Sequence, residues 1–186
     1  MRYRRNIDDN VRKIALDFIL QCPSSIKKDK GTMPVSKCAS SFKSRGIQGS
    51  LLRTLLSQLK KALPTQNCYV KTKAGFSIIE ESKFMENIDS LSDPNHEYIV
   101  ISEHSSMSET ESVFYYIRNA FAHGSFSVED LNGNNRHYYL ECDNGNIPKA
   151  RMLLKESTLL KYRDLIFVTS SELKSLQKKK KIPAFQ

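Results

Sequence analysis

No stretch of the chain approaches the eighteen or more apolar residues of a membrane span, and the basic opening MRYRRNIDDN leads into a charged amphipathic segment, not a signal-peptide core. The expectation is a cytoplasmic protein with no membrane partner. The four cysteines, Cys22, Cys38, Cys68 and Cys142, form no CxxC pair and no Cys/His pairing at zinc spacing. They read as free thiols, which excludes a disulfide scaffold. A GxxxxGKS phosphate loop, a dinucleotide fingerprint and an HExxH pair are all missing, so ATP chemistry is not indicated. His96 and His104, in NHEYIVISEH, read as exposed loop histidines. No metal and no cofactor are expected.

Acid is missing from both ends. Residues 1–5 hold three arginines and residues 174–181 five lysines with no carboxylate among them, while the rest of the chain carries 21 basic against 20 acidic residues. The net charge of +9 is therefore local, and Lys178, Lys179, Lys180 and Lys181 are candidate nucleic-acid contacts that also fit a solvated tail over 174–186. A chain of 186 residues is long enough for one good core. A single domain over 1–186 is expected.

What is present along the chain is mostly helical periodicity. Asp8 or Asp9 can cap a helix through Val11, Ile14, Ala15, Phe18 and Ile19 that ends near Cys22-Pro23. Residues 23–46 read as a long connection. Leu51, Leu52, Leu55, Leu56, Leu59 and Leu63 make the apolar stripe of a second helix over 47–63, stopped by Pro64. NCYVKTKAGFSIIE suggests a hairpin about Lys73-Ala74-Gly75, a short helix follows at 80–90, and EYIVIS at 97–102 suggests a strand. Ser108 and Glu111 have the spacing of a capping box, so a third helix begins near 109, buries Val113, Phe114, Ile117 and Phe121, and ends at Gly124. SFSV, HYYLEC and IPKARMLL then predict a three-stranded meander, and Glu156-Ser157-Thr158 opens one last long helix toward Leu176. The expected fold is mainly α: a bundle of four to five helices with a small antiparallel meander after the motif helix.

That third helix carries IRNAFAHG. Asn119 and His123 are four residues apart and share a face, with Arg118 about 100° round and long enough to reach the same groove. Guanidinium pairs with phosphate oxygens, an amide orients, and imidazole moves protons near neutral pH. These are parts for cleaving RNA without a metal. The chain has ten arginines and four histidines. An Arg followed four to six residues later by His is therefore expected roughly 0.6 times by chance, falling to roughly 0.04 once Asn must follow the Arg. The plainer alternative has Arg118 paired with Glu111 or Asp164 and His123 capping the helix. Lys149 and Arg151, on the last predicted strand, are further candidate phosphate contacts. Tyr115, Tyr116, Tyr138, Tyr139 and Tyr162 could stack on bases, though packing accounts for most.

The string YYIRNAFAHGSF, with ARMLLKESTLLKY at 150–162, resembles the HEPN superfamily, in particular small stand-alone bacterial members. The similarity covers about 110–165. It implies an all-α domain whose ribonuclease members carry Arg, four to six residues and His, here Arg118, Asn119 and His123. It further implies a metal-independent endoribonuclease working as a homodimer with a composite site, among toxins and anti-phage effectors, with an antitoxin or regulatory protein as a partner. A non-catalytic module that binds RNA, a nucleotide or a protein is the alternative. Toxins of this family that are adenylylated carry Tyr two residues after the His; here Ser125 stands there.

Overall fold

Helix α1, Asp9–Gln21, starts where Asp8 accepts a hydrogen bond from the Val11 amide at 3.0 Å, and it buries Val11, Ile14, Ala15 and Phe18. The computed structural model describes residues 7–22, 41–64, 69–72, 97–130 and 136–181. The expected helix at 80–90 and most of the 23–46 connection lie outside the described residues.

Helix α2, Ser50–Ala62, ends just short of Pro64 and buries Leu51, Leu55 and Leu59 on its leucine stripe. Helix α3, Glu109–His123, has the full capping box: the Ser108 hydroxyl accepts from the Glu111 amide at 3.3 Å, and the Glu111 carboxylate accepts from the Ser108 amide at 2.9 Å. At its other end Gly124 adopts φ 65°, a left-handed conformation that glycine takes without steric cost, and the Ser125 amide returns to the Ala120 carbonyl at 2.8 Å.

The expected bundle gives way here to a mixed α/β fold. Strands β1 (Tyr69–Thr72), β2 (Tyr98–Ser102), β3 (Phe126–Asp130), β4 (Arg136–Asn144) and β5 (Ile147–Lys155) form one sheet in the order β1-β2-β5-β4-β3. The meander β3-β4-β5 is as expected, with antiparallel pairings such as Tyr138 with Leu154. It is no small insert, because β2 adds antiparallel to the free edge of β5, Ile99 opposite Met152, and β1 then adds parallel to β2. Tyr69–Thr72 therefore pairs with EYIVIS; the proposed second arm of its hairpin lies outside the described residues.

The physical reason is burial. Every residue of β2 is buried, so this strand needs neighbours on both edges and cover on both faces. Ile99, Ile101, Val128, Tyr138, Leu140, Ala150, Met152 and Leu154 face the helices and share one apolar core with them. Phe121 of α3 sits at its centre, stacked on Phe18 of α1 at 5.6 Å and edge-on to Phe126 of β3 at 5.0 Å.

The last helix is two helices. Helix α4, Glu156–Ile166, stops at Phe167, and α5, Ser170–Lys181, restarts through a second capping box: Thr169 Oγ1 accepts from the Glu172 amide at 3.3 Å while Glu172 accepts from the Thr169 amide at 2.7 Å. Arg45 closes the break by donating to the carbonyls of Ile166 and, at 2.7 Å, Val168. The lysines at 174 and 178–181 thus lie on a helix that packs against α2, with Leu173 buried and Gln177 donating to Thr54 at 2.8 Å.

Candidate active site

Helix α3 presents Tyr115, Asn119 and His123 at four-residue steps, one stripe along the side opposite Phe114, Ile117 and Phe121. The stripe forms one wall of an open cleft of about 760 Å³. The loop after β2 supplies His104, and the β4–β5 hairpin supplies Glu141, Asp143 and Lys149. This volume suits a nucleotide-sized ligand.

His123 is exposed in the last turn of α3, and Asn119 is half-buried beside it. Arg118 is half-buried and donates to the Asn119 carbonyl oxygen at 3.3 Å, but it is not among the residues that line the cleft. Its charge instead lies near Cys22 at the end of α1, where it partly opposes the rise that burial imposes on that thiol. The structure therefore brings Asn119 and His123 into the cleft and leaves Arg118 on the flank of the helix, tied to them through the amide. Neither alternative acid takes it up: Glu111 is held in the capping box and Asp164 bonds Arg163 at 3.0 Å.

Lys149 lines the same cleft. Arg151 does not. It is 5% exposed, donates to Asp143 at 2.6 Å and lies 3.6 Å from Glu141, its cross-strand partner. Burial works against its charge, yet the hydrogen bond and charge of Asp143 outweigh this and raise its pKa. Arg151 thus serves to neutralise two acids at the cleft rim. Lys178 and Lys179 are exposed on α5 and do not line the cleft, while the side chains of Lys180 and Lys181 lie outside the described residues.

Other proton donors at the site are poor ones. The Cys142 thiol, donating to the Tyr116 carbonyl at 3.1 Å, is pushed up to about 12 by burial and by Asp143. Tyr116 is likewise raised by burial and bonds the Ser102 carbonyl at 3.2 Å. The proton carriers left are the imidazoles of His104 and His123 and the carboxylates Glu103, Glu141 and Asp143. Among the described residues no three of His, Cys, Asp or Glu converge as metal ligands would.

His104 was missed as a site residue. Its sequence neighbourhood carries no motif, and only the turn after β2 folds it against Tyr115, ring centres 5.3 Å apart. Tyr115 did leave a signal, since it stands four residues before Asn119 and eight before His123. His96 lies outside the described residues.

No family model, no curated protein and no solved structure matches this chain. Among the described residues no helix is long and apolar enough to cross a membrane.

Proposed function

We propose that the protein is a metal-independent endoribonuclease of the cytoplasm, a toxin or anti-phage effector in role. The observation that carries this reading is the stripe of α3: Asn119 and an exposed His123 open into a cleft of about 760 Å³ with Lys149 on the facing hairpin. The similarity of IRNAFAHG to the HEPN ribonuclease motif supports it, although the mixed sheet departs from an all-α frame.

The RNA's 2′-oxygen attacks the adjacent phosphorus as its proton passes to an imidazole, the bond from phosphorus to the 5′-oxygen breaks, and that oxygen takes up a proton. The products are a 2′,3′-cyclic phosphate and a 5′-hydroxyl. His123 exchanges the proton, Asn119 orients, and Arg118 stabilises charge on the pentacoordinate phosphorus.

The active form is a homodimer, because Arg118 lies outside the lining of its own cleft and a two-fold pairing of α3 ends supplies an arginine from the second copy. A mixture of Arg118→Ala and His123→Ala proteins tests this. A composite site restores one of two clefts in each mixed dimer, about a quarter of wild-type cleavage for a random equal mixture, whereas a site built within one chain restores none. The competing class, a module that binds RNA, a nucleotide or a protein without cutting, draws on the same placement of Arg118.

Pure protein incubated with an RNA oligonucleotide and a chelator is the deciding experiment. Mass spectrometry should find new ends bearing a cyclic phosphate at an undiminished rate. Ends bearing a 3′-hydroxyl, or a rate abolished by chelator, rule the mechanism out.

A further inference from the structure

We propose that His104 and Tyr115 form a nucleobase-binding subsite that holds the nucleotide flanking the reacting phosphate, an inference that rests on the ribonuclease reading of the same cleft. His104 is fixed in place. Its Nδ1 accepts the Ser106 amide hydrogen at 3.3 Å and lies 3.2 Å from the Ser106 hydroxyl. A neutral ring held this way carries its proton on Nε2, which makes that nitrogen a donor.

The ring meets Tyr115 edge-on at 5.3 Å, and Tyr115 meets Tyr116 in the same manner at 5.4 Å. Tyr116 is itself anchored through its hydroxyl to Ser102. The aromatic corner is thus built before any ligand arrives, which lowers the ordering cost of binding. A planar base stacks on aromatic rings whatever its identity, while one fixed donor reads the acceptors on its edge.

Position decides which part of the RNA meets this corner. Tyr115 precedes His123 by eight residues, about 12 Å along the helix at 1.5 Å per residue. Asn119 lies midway. The corner therefore sits away from the phosphate that His123 serves and over its neighbour on the strand. The acids at the cleft do not repel that strand in full, because Lys71 pairs with Glu103 at 3.1 Å and Arg151 holds Glu141 and Asp143. Lys149 remains for the phosphate.

The test compares wild type, His104→Ala, Tyr115→Ala and Tyr115→Phe on oligonucleotides varied at each base beside the cleaved bond. Binding of an uncleavable 2′-deoxy oligonucleotide is measured alongside by fluorescence anisotropy. Wild type should prefer certain bases on one flank. Both alanine variants should flatten that preference, bind the deoxy analogue about 5- to 150-fold more weakly and lose more in KM than in kcat. Tyr115→Phe, which keeps the ring, should retain the preference. If wild type cleaves and the alanine variants keep its preference and affinity, the subsite is wrong while the ribonuclease stands. Base-selective binding without cleavage, lost in both alanine variants, supports the subsite and removes the catalytic reading. A wild type that neither binds nor cleaves overturns both.

Discussion

The two ends of α3 treat their polar residues in opposite ways. At the N-terminal end nearly every polar group is committed: Ser108 and Glu111 cap each other, Thr110 donates to the Leu52 carbonyl at 2.8 Å, Ser112 donates to Ser108, and Lys60 pairs with Glu109 at 2.9 Å. At the C-terminal end Gly124 closes the helix by backbone alone, so His123 is not needed for capping and stands exposed at the cleft. Polar residues that satisfy a neighbour explain themselves through stability. A histidine the fold does not use is the one available for chemistry.

Substitutions at the two ends should separate activity from stability. His123→Ala and Arg118→Ala each should lower RNA cleavage by about 10²- to 10⁴-fold, read with a fluorogenic RNA. The thermal midpoint should stay near wild type, since His123 is exposed and Arg118 only half-buried. A drop in midpoint that matched the lost activity would place both residues with the structural end. Phe121→Ala, which removes the ring stacked between α1, α3 and β3, should cost about 3–5 kcal/mol in urea unfolding and take folding and activity together. Ser108→Ala should cost about 1 kcal/mol through the lost cap, with cleavage per folded molecule unchanged.

The smallest effect concerns α1, whose cap shows the N-terminal pattern again. Hydrogen bonding to the Val11 amide and to Arg136 lowers the Asp8 pKa below its ordinary value. A carboxylate so depressed adds stability above its unfolded pKa of about 3.9, and this is lost as pH falls through the folded value. Asp8→Asn keeps a good capping residue and removes the charge. Its urea midpoint should consequently fall less than that of wild type between pH 6 and pH 3. An identical fall would assign the acid sensitivity to other groups, of which Glu172, also lowered, is one.

Helix ends were the most legible feature, because a cap is a contact among residues three or four apart. Asp8, Ser108 with Glu111, and Gly124 all act as their spacing suggests. Thr169 with Glu172 carries the same signature as Ser108 with Glu111, and it marks the break between α4 and α5 that apolar periodicity alone runs straight through. The β3-β4-β5 meander was legible for a similar reason, since each turn joins neighbours in sequence. The pairing of β2 with β5 was not: EYIVIS shows that a strand is buried, yet nothing within it names a partner some fifty residues away. The mainly α expectation failed at that point.

The candidate site divides along the same line. Asn119 and His123 could be placed together from the sequence, since their spacing puts them on one helical face wherever the helix packs. Arg118 is the neighbour the sequence did not place: it lies near Cys22 at the end of α1 and outside the cleft lining. Arg151 read as a phosphate contact, but the hairpin register sets it against Glu141 and buries it.

The sequence by itself determined the first helix, the leucine-striped helix and the motif helix with its caps, the meander, and the shared face of Asn119 and His123, all of which follow from forces acting over a few residues. Only the tertiary structure decided that the strands join into one five-stranded sheet, that His104 closes on Tyr115, and that Arg118 stays outside the lining of its own cleft. Those outcomes depend on which buried surfaces meet, and burial is settled by the whole chain at once.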